Sequence, residues 1–205
     1  PFALDAAEWE RIGGRVERAA ALAARTGERA LASVTVAIPA DIDLAAVVLA
    51  SRRPDDRWFC FEQPDRDGYA VCGLGVAALV EADGGARFSA TAAACRAYAY
   101  RVLADDPGAD HLRPAGSGPV FLGGFAFAHE GGRAPEWGTL APAQLVMPEV
   151  SFARGGGEAR MTVTVAVDPG AAPVAIEALL ERVRERIDSL WPAPMPLLDP
   201  DPTIR

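Results

Sequence analysis

Apolar positions recur along this chain with two different periods, and their succession lays out a mixed structure. Trp9, Ile12, Val16 and Ala19 or Ala20 follow helical spacing. They stand behind Asp5-Ala-Ala-Glu8, an aspartate N-cap with an acidic residue three positions on. Gly13-Gly14 weakens that helix by about 1 kcal/mol per glycine, so packing must hold it. Ala32 to Ile38 alternates apolar with small or polar residues and stops at Pro39, the pattern of a strand. Asp43 to Arg52 fits neither period cleanly, and a short helix is the reading available.

Arg57 to Glu62 and Gly68 to Gly75 are apolar runs separated by Gln63-Pro64-Asp65-Arg66-Asp67, a run of turn formers, and predict a hairpin. Val76 to Ala82 reads as strand, closed by Asp83-Gly84-Gly85. Phe88 to Leu103 reads as helix, capped by Ser89, with Cys95, Tyr98 or Ala99, and Val102 on one face. A loop rich in Asp, Gly and Pro runs to Gly118. Val120 to Phe127 is apolar and broken by glycines, as expected of a buried strand that another backbone approaches closely. Leu145 to Arg154 and Glu158 to Val167 flank Gly155-Gly156-Gly157 as a second hairpin. Pro173 opens a helix whose stripe is Ile176, Leu179 or Leu180, Val183, Ile187 and Leu190.

The pattern is α+β, with antiparallel hairpins and helices packed on the outside. Its 205 residues suit one sizeable core, assigned to 1–191. Five of the 17 prolines fall between Pro192 and Pro202, so 192–205 reads as a semi-rigid connector leading to a further domain.

Charge narrows the partners. With 28 acidic and 20 basic side chains the formal net charge is −8, which argues against nucleic acid and anionic membranes. Neither a membrane-spanning run nor a signal layout is present in these residues, and a cytoplasmic location is expected. All twenty basic side chains are arginine, so no lysine can serve as general base, Schiff base or phosphate ligand here. Cys60, Cys72 and Cys95 lack the spacing of a zinc site. Cys60 and Cys72 could face each other across the first hairpin, and buried thiols are expected in a reducing compartment.

No motif assembles an active site. Gly73-Leu-Gly75-Val-Ala-Ala78 has the outline of a dinucleotide loop, but too few residues follow it for the required helix. His111 reads as a solvated loop residue and His129 as a hydrogen-bonding residue at a strand rim. Ser117 lacks the strand and helix of a nucleophile elbow. Glu62 and Glu149 stand in or beside apolar strands, where a carboxylate must be paired or sit at a strand end. The functional reading makes one a general acid or metal ligand; the plainer reading is an ion pair with arginine. Asp65 and Asp67 are turn residues, and Glu177, Glu181, Arg184 and Asp188 a solvated helix face.

Four stretches, in order and spacing, carry a resemblance: Arg57-Trp-Phe-Cys-Phe-Glu-Gln-Pro64, Gly68-Tyr-Ala-Val-Cys-Gly-Leu-Gly-Val-Ala-Ala78, Pro119-Val-Phe-Leu-Gly-Gly-Phe-Ala-Phe127, and Trp137 with Leu145-Val-Met-Pro-Glu149. Together they resemble the N-terminal part of isochorismate synthases, within the chorismate-utilising enzymes. Anthranilate and aminodeoxychorismate synthases usually show Phe-Leu-Leu-Glu-Ser where this chain has Phe59-Cys60-Phe61-Glu62-Gln63. Gln63 replaces the serine of their tryptophan pocket, which speaks against amino-acid feedback binding.

The resemblance implies the N-terminal half of the chorismate-utilising enzyme fold. It also implies a parent isomerase that turns chorismate into isochorismate with Mg2+, for menaquinone or for siderophore or salicylate synthesis. The lysine base, the glutamate acid and the metal-holding glutamates of that family belong to its C-terminal part. Accordingly no catalytic, cofactor-binding or metal residue is carried onto this chain, and the fragment alone is expected to be inactive. Its expected partner is its own C-terminal chorismate-binding domain. Apolar surface meant for that domain should be exposed, or covered by self-association. The alternatives are another chorismate-using enzyme (salicylate, anthranilate or aminodeoxychorismate synthase), or a non-catalytic small-molecule or protein-binding module suggested by Glu62-Gln63.

Overall fold

A computed structural model describes residues 1–106, 113–128, 137–138 and 140–193. The first helix, α1 (Ala6–Thr26), begins as expected. The Asp5 side chain accepts from the Glu8 N–H, and the Glu8 carboxylate accepts from the Asp5 N–H, both at 2.8 Å. Its stripe Ile12, Val16, Ala19 and Ala23 is fully buried, which offsets the cost of Gly13-Gly14. Strand β1 (Ala30–Ile38) follows, then the short helix α2 (Leu44–Ser51), capped by Asp43. The first hairpin is β2 (Trp58–Gln63) and β3 (Tyr69–Leu74). After β4 (Ala78–Ala82) come α3 (Arg87–Ala99), β5 (Val102–Leu103), β6 (Leu122–Phe125) and β7 (Ala143–Met147). The chain continues through β8 (Val150–Gly155) and β9 (Glu158–Val167) to α4 (Pro173–Asp188).

Two sheets result, and the fold is α+β. The larger has the order β2-β3-β8-β9-β1-β5 and is antiparallel except for the parallel β1–β5 edge. The smaller is the antiparallel trio β4-β7-β6. Helices α1, α2 and α4 contribute Ile12, Val16, Leu44, Val47, Val48 and Ile187 to the main core. Against them lie the inward positions of the large sheet, among them Val34, Leu74, Phe152, Met161 and Val163. The alternate positions of β1 and β9 carry hydroxyls that pair across the ladder, Ser33 with Thr164 at 3.2 Å and Thr35 with Thr162 at 3.1 Å. The β8–β9 turn holds Gly156 and Gly157 at φ 62° and 79°, the two left-handed residues that a two-residue hairpin requires.

Three expectations are corrected. The helix placed at Phe88–Leu103 ends at Ala99, because Val102 and Leu103 pair with Leu31 and Ala32 of β1 instead. Ser89 lies inside that helix and donates to the Ala86 carbonyl, and the buried positions are Arg87 and Thr91 rather than the Cys95 stripe. The strand expected over Leu145–Arg154 is two strands in different sheets. Pro148 has no N–H for a ladder bond and stands where the chain leaves one sheet for the other. Finally, the run Val120–Phe127 is not buried. Its strand β6 is an edge, with Phe125 at 42% and Phe127 at 105% exposure. His111, His129 and most of the 192–205 connector lie outside the described residues.

Asp105 ties β5's end to α1 and β1. Its carboxylate accepts from Arg15 Nη2 at 2.7 Å and from the Thr35 N–H at 2.8 Å, with Arg11 at 3.9 Å. Burial works to raise its pKa, but these donors together outweigh burial and hold it below the ordinary 3.8. The contribution to stability is therefore complete above that value and lost as pH falls through the lower folded value. Asp105→Asn is expected to flatten the fall in stability on acidification below about pH 4, measured by urea denaturation across that range.

Candidate functional site

The two sheets meet where the chain crosses between them twice. One crossing runs from β3 through Gly75-Val76-Ala77 into β4, the other from β7 through Pro148-Glu149 into β8. The Ala77 N–H donates to the Met147 carbonyl at 2.8 Å and joins the crossings. Gly73 and Gly75 make this contact possible. A Cβ at Gly73 would overlap the Pro148 ring, and one at Gly75, which holds φ 76°, would overlap the Glu149 carboxylate.

Beside the crossing opens a groove of about 1170 Å3. Its walls are the segment leading into β2 and its first residues (Pro54 to Phe59), β6 and its continuation to Ala128, and Gln144 and Val146 of β7 with Pro148 just after it. Trp58, Phe125, Phe127, Trp137 and Leu140 line it and are between 42% and 105% exposed. Small-molecule pockets run to roughly 300–1,000 Å3 and enclose their ligand. This space is slightly larger than that range and open to solvent. A small polar group marks the β4–β7 side. Gln144 Nε2 donates to Glu81 Oε1 at 2.6 Å, and Arg57 Nη2 lies 3.9 Å from the same oxygen.

The groove's aromatic wall is anchored from behind. Buried Arg87 donates from Nη2 to the carbonyls of Ala126 and Phe127 at 3.0 and 3.3 Å, and from Nη1 to Gly84 at 3.0 Å. Its guanidinium lies 4.5 Å from the Phe88 ring centroid, and Phe88 stacks on Phe125 at 4.7 Å. Nothing in the sequence pattern marked Arg87 for this role, because both carbonyls come from a segment some forty residues away.

The carboxylates singled out from sequence are ion-paired. Glu62 lies 3.8 Å from Arg154 Nη2, and Glu149 lies 3.7 Å from Arg186 Nε. Burial pushes the Glu149 pKa above its ordinary 4.5, with Arg186 pulling the other way. Neither Glu62 nor Gln63 lines the groove. Gly73 and Leu74 belong to β3, and no helix follows them to receive a pyrophosphate. Among the described residues no three His, Cys, Asp or Glu side chains are grouped to hold a metal ion. None of the described helices is long and apolar enough to cross a membrane.

Residues 16–199 match the family described as chorismate binding enzyme. None of the curated proteins matches the chain. Among solved structures, the menaquinone-specific isochorismate synthase MenF from Escherichia coli is similar over 87% of this chain, at 16% identity and a TM-score of 0.48. The chain spans 35% of the length of that protein.

Proposed function

The chain belongs to the chorismate binding enzyme family, and from that premise we propose that it is the N-terminal scaffold domain of an isochorismate synthase. The parent would isomerise chorismate to isochorismate with Mg2+, in menaquinone or in siderophore or salicylate synthesis. The observation that carries this reading is a family match over residues 16–199 in a chain that contains no lysine. An isomerisation that needs a lysine base must draw that base from outside these residues. The resemblance puts the metal-holding glutamates in the family's C-terminal part, and among the described residues no group of three such side chains is present. Both are assigned to a C-terminal chorismate-binding portion, with this chain inactive alone.

The groove supplies the scaffold role. Its exposed aromatic rim is the surface we assign to contact with the catalytic portion, because an apolar patch this size is unfavourable in water. Trp58→Asp is expected to cost the isolated chain about 1–3 kcal/mol and leave it folded, since only half of the Trp58 side chain is out of water. In the protein carrying the C-terminal portion it should reduce chorismate turnover at least tenfold. An unchanged rate would remove the groove from the assembly.

The reading itself is tested with chorismate and Mg2+, following products by chromatography. The chain alone should give none, and the longer protein should give isochorismate without ammonia. Ammonia-dependent anthranilate or aminodeoxychorismate would transfer the chain to those relatives, and salicylate to a salicylate synthase. Turnover by this chain alone would overturn the scaffold assignment.

A further inference from the structure

Cys60 and Cys72 stand directly opposite each other on the β2–β3 hairpin, and all three cysteines are free thiols. The character of their pairing follows from one hydrogen bond. The Gly75 N–H donates to the Arg57 carbonyl at 2.9 Å, so Arg57 and Gly75 form a hydrogen-bonded pair. Pairs alternate along an antiparallel ladder. Trp58/Leu74 is therefore non-hydrogen-bonded, Phe59/Gly73 hydrogen-bonded, and Cys60/Cys72 non-hydrogen-bonded. In such pairs the Cα atoms are about 4.5 Å apart and the side chains stand on the same face of the sheet. A disulfide accepts Cα separations of about 4.4–6.8 Å, so the site lies just inside the short limit. A bond there is attainable without moving the strands and, being near the limit, is readily reduced.

We propose that Cys60 and Cys72 are a redox site, closing to a reversible cross-strand disulfide on the outermost hairpin of the large sheet. Cys60 is half-buried on the edge strand, and Cys72 is fully buried beneath α2. That difference sets the order of events. The Cys60 thiol is hydrogen-bonded to Cys72, which lowers its pKa against burial and the nearby charges of Glu62 and Asp43. Cys72 is pushed up by the same bond and by burial. The Cys60 thiolate attacks one sulfur of a low-molecular-weight disulfide, whose S–S bond breaks and releases one thiolate. The Cys72 sulfur then gives up its proton, attacks Cys60 and expels the second thiolate. Two protein thiols are oxidised, one external disulfide is reduced, and two external thiols carry away the protons. The bond links β2 to β3 next to Trp58, Phe59 and Gly73, which line the groove, so its state bears on that wall.

The sequence makes the test direct, because trypsin separates the cysteines into peptides 58–66, 67–87 and 88–96. The folded chain is titrated with oxidised glutathione, quenched in acid, alkylated and digested. The expected result is a cross-link between 58–66 and 67–87, with 88–96 alkylated and the free thiols falling from three to one. Reduced glutathione should restore all three. Cys72→Ser should stop at a glutathione mixed disulfide on Cys60. A wild-type chain that also stops there, that loses the Cys95 thiol in parallel, or that cross-links only in denaturant would overturn the proposal.

Discussion

Replacing Arg186 by methionine is expected to destabilise the chain by about 3 kcal/mol, the lower end of the cost of breaking a buried ion pair. Arg186 comes from the last turn of α4 and is 3% exposed. Its Nη2 donates to Asp56 Oδ2 at 2.7 Å, and the Asp56 side chain is only 13% exposed. Without the guanidinium that carboxylate would be left buried beside one N–H, that of Arg53 at 2.6 Å. An opposing effect keeps the expected loss from the upper end. Arg186 Nε and Nη1 are buried without hydrogen-bond partners, and methionine would relieve that cost. Urea denaturation of Arg186→Met, Asp56→Asn and the double variant closes the cycle, and the double variant should be less damaged than the sum of the singles. A loss under about 1 kcal/mol in the arginine variant would mean that the pair adds little.

The same variant carries a pH signature. Glu149 is held above its ordinary pKa by burial, and Arg186 is the largest influence restraining that rise. Removing the arginine should raise it further. A carboxyl that keeps its proton to higher pH in the fold than in the unfolded chain makes stability greatest below 4.5 and lower as pH rises through the folded value. The variant should therefore lose stability over a wider interval above pH 4.5 than the parent does.

Gly123→Ala is expected to be the other large effect, about 2–6 kcal/mol. Strain at a glycine-only backbone contributes about 1–3 kcal/mol, and overpacking about 1–3 kcal/mol. Gly123 holds φ 156°, and a Cβ there would overlap the Gln144 carbonyl oxygen, with the Gln144 carbonyl carbon and Leu145 Cα at 3.0 Å. Those atoms are backbone, so no rotamer change relieves the clash. Since, among the described residues, β6 pairs with β7 alone, the damage should be local. Amides of 122–125 should exchange quickly, while those of β1, β8 and β9 keep their protection. The neighbouring Gly124→Ala is the control. Its Cβ meets nothing within 4 Å, and a change within about 0.5 kcal/mol is expected. Equal effects at the two glycines would refute the close-approach account.

The Gly123 contact also shows how far sequence reading reaches. A glycine-broken apolar run suggested close approach of another backbone, and β7 makes that approach. The same run suggested burial, and β6 is instead an edge whose aromatic residues face the groove. Apolar content alone does not distinguish a strand covered by its own chain from one left open. Glu62 and Glu149 were legible as carboxylates that need partners, but Arg154 and Arg186 were not legible as those partners. One ion pair spans β2 to β8, and the other joins a sheet crossing to α4.

What the sequence by itself determined is local and periodic. The capped first helix, the two hairpins, the Pro173 helix and the α+β class all rest on spacings of a few residues, where side-chain periodicity and turn chemistry act directly. The absence of lysine, and with it of a lysine base, was equally plain. Only the tertiary structure decided that Leu145–Arg154 splits between two sheets, that Val102–Leu103 leaves the helix for β1, and that Arg87 and Arg186 are buried. Each of these outcomes sets a local preference against contacts with segments far away in sequence. A parallel ladder, a proline lodged against Gly73 and a buried carboxylate gain their free energy only after those segments have met.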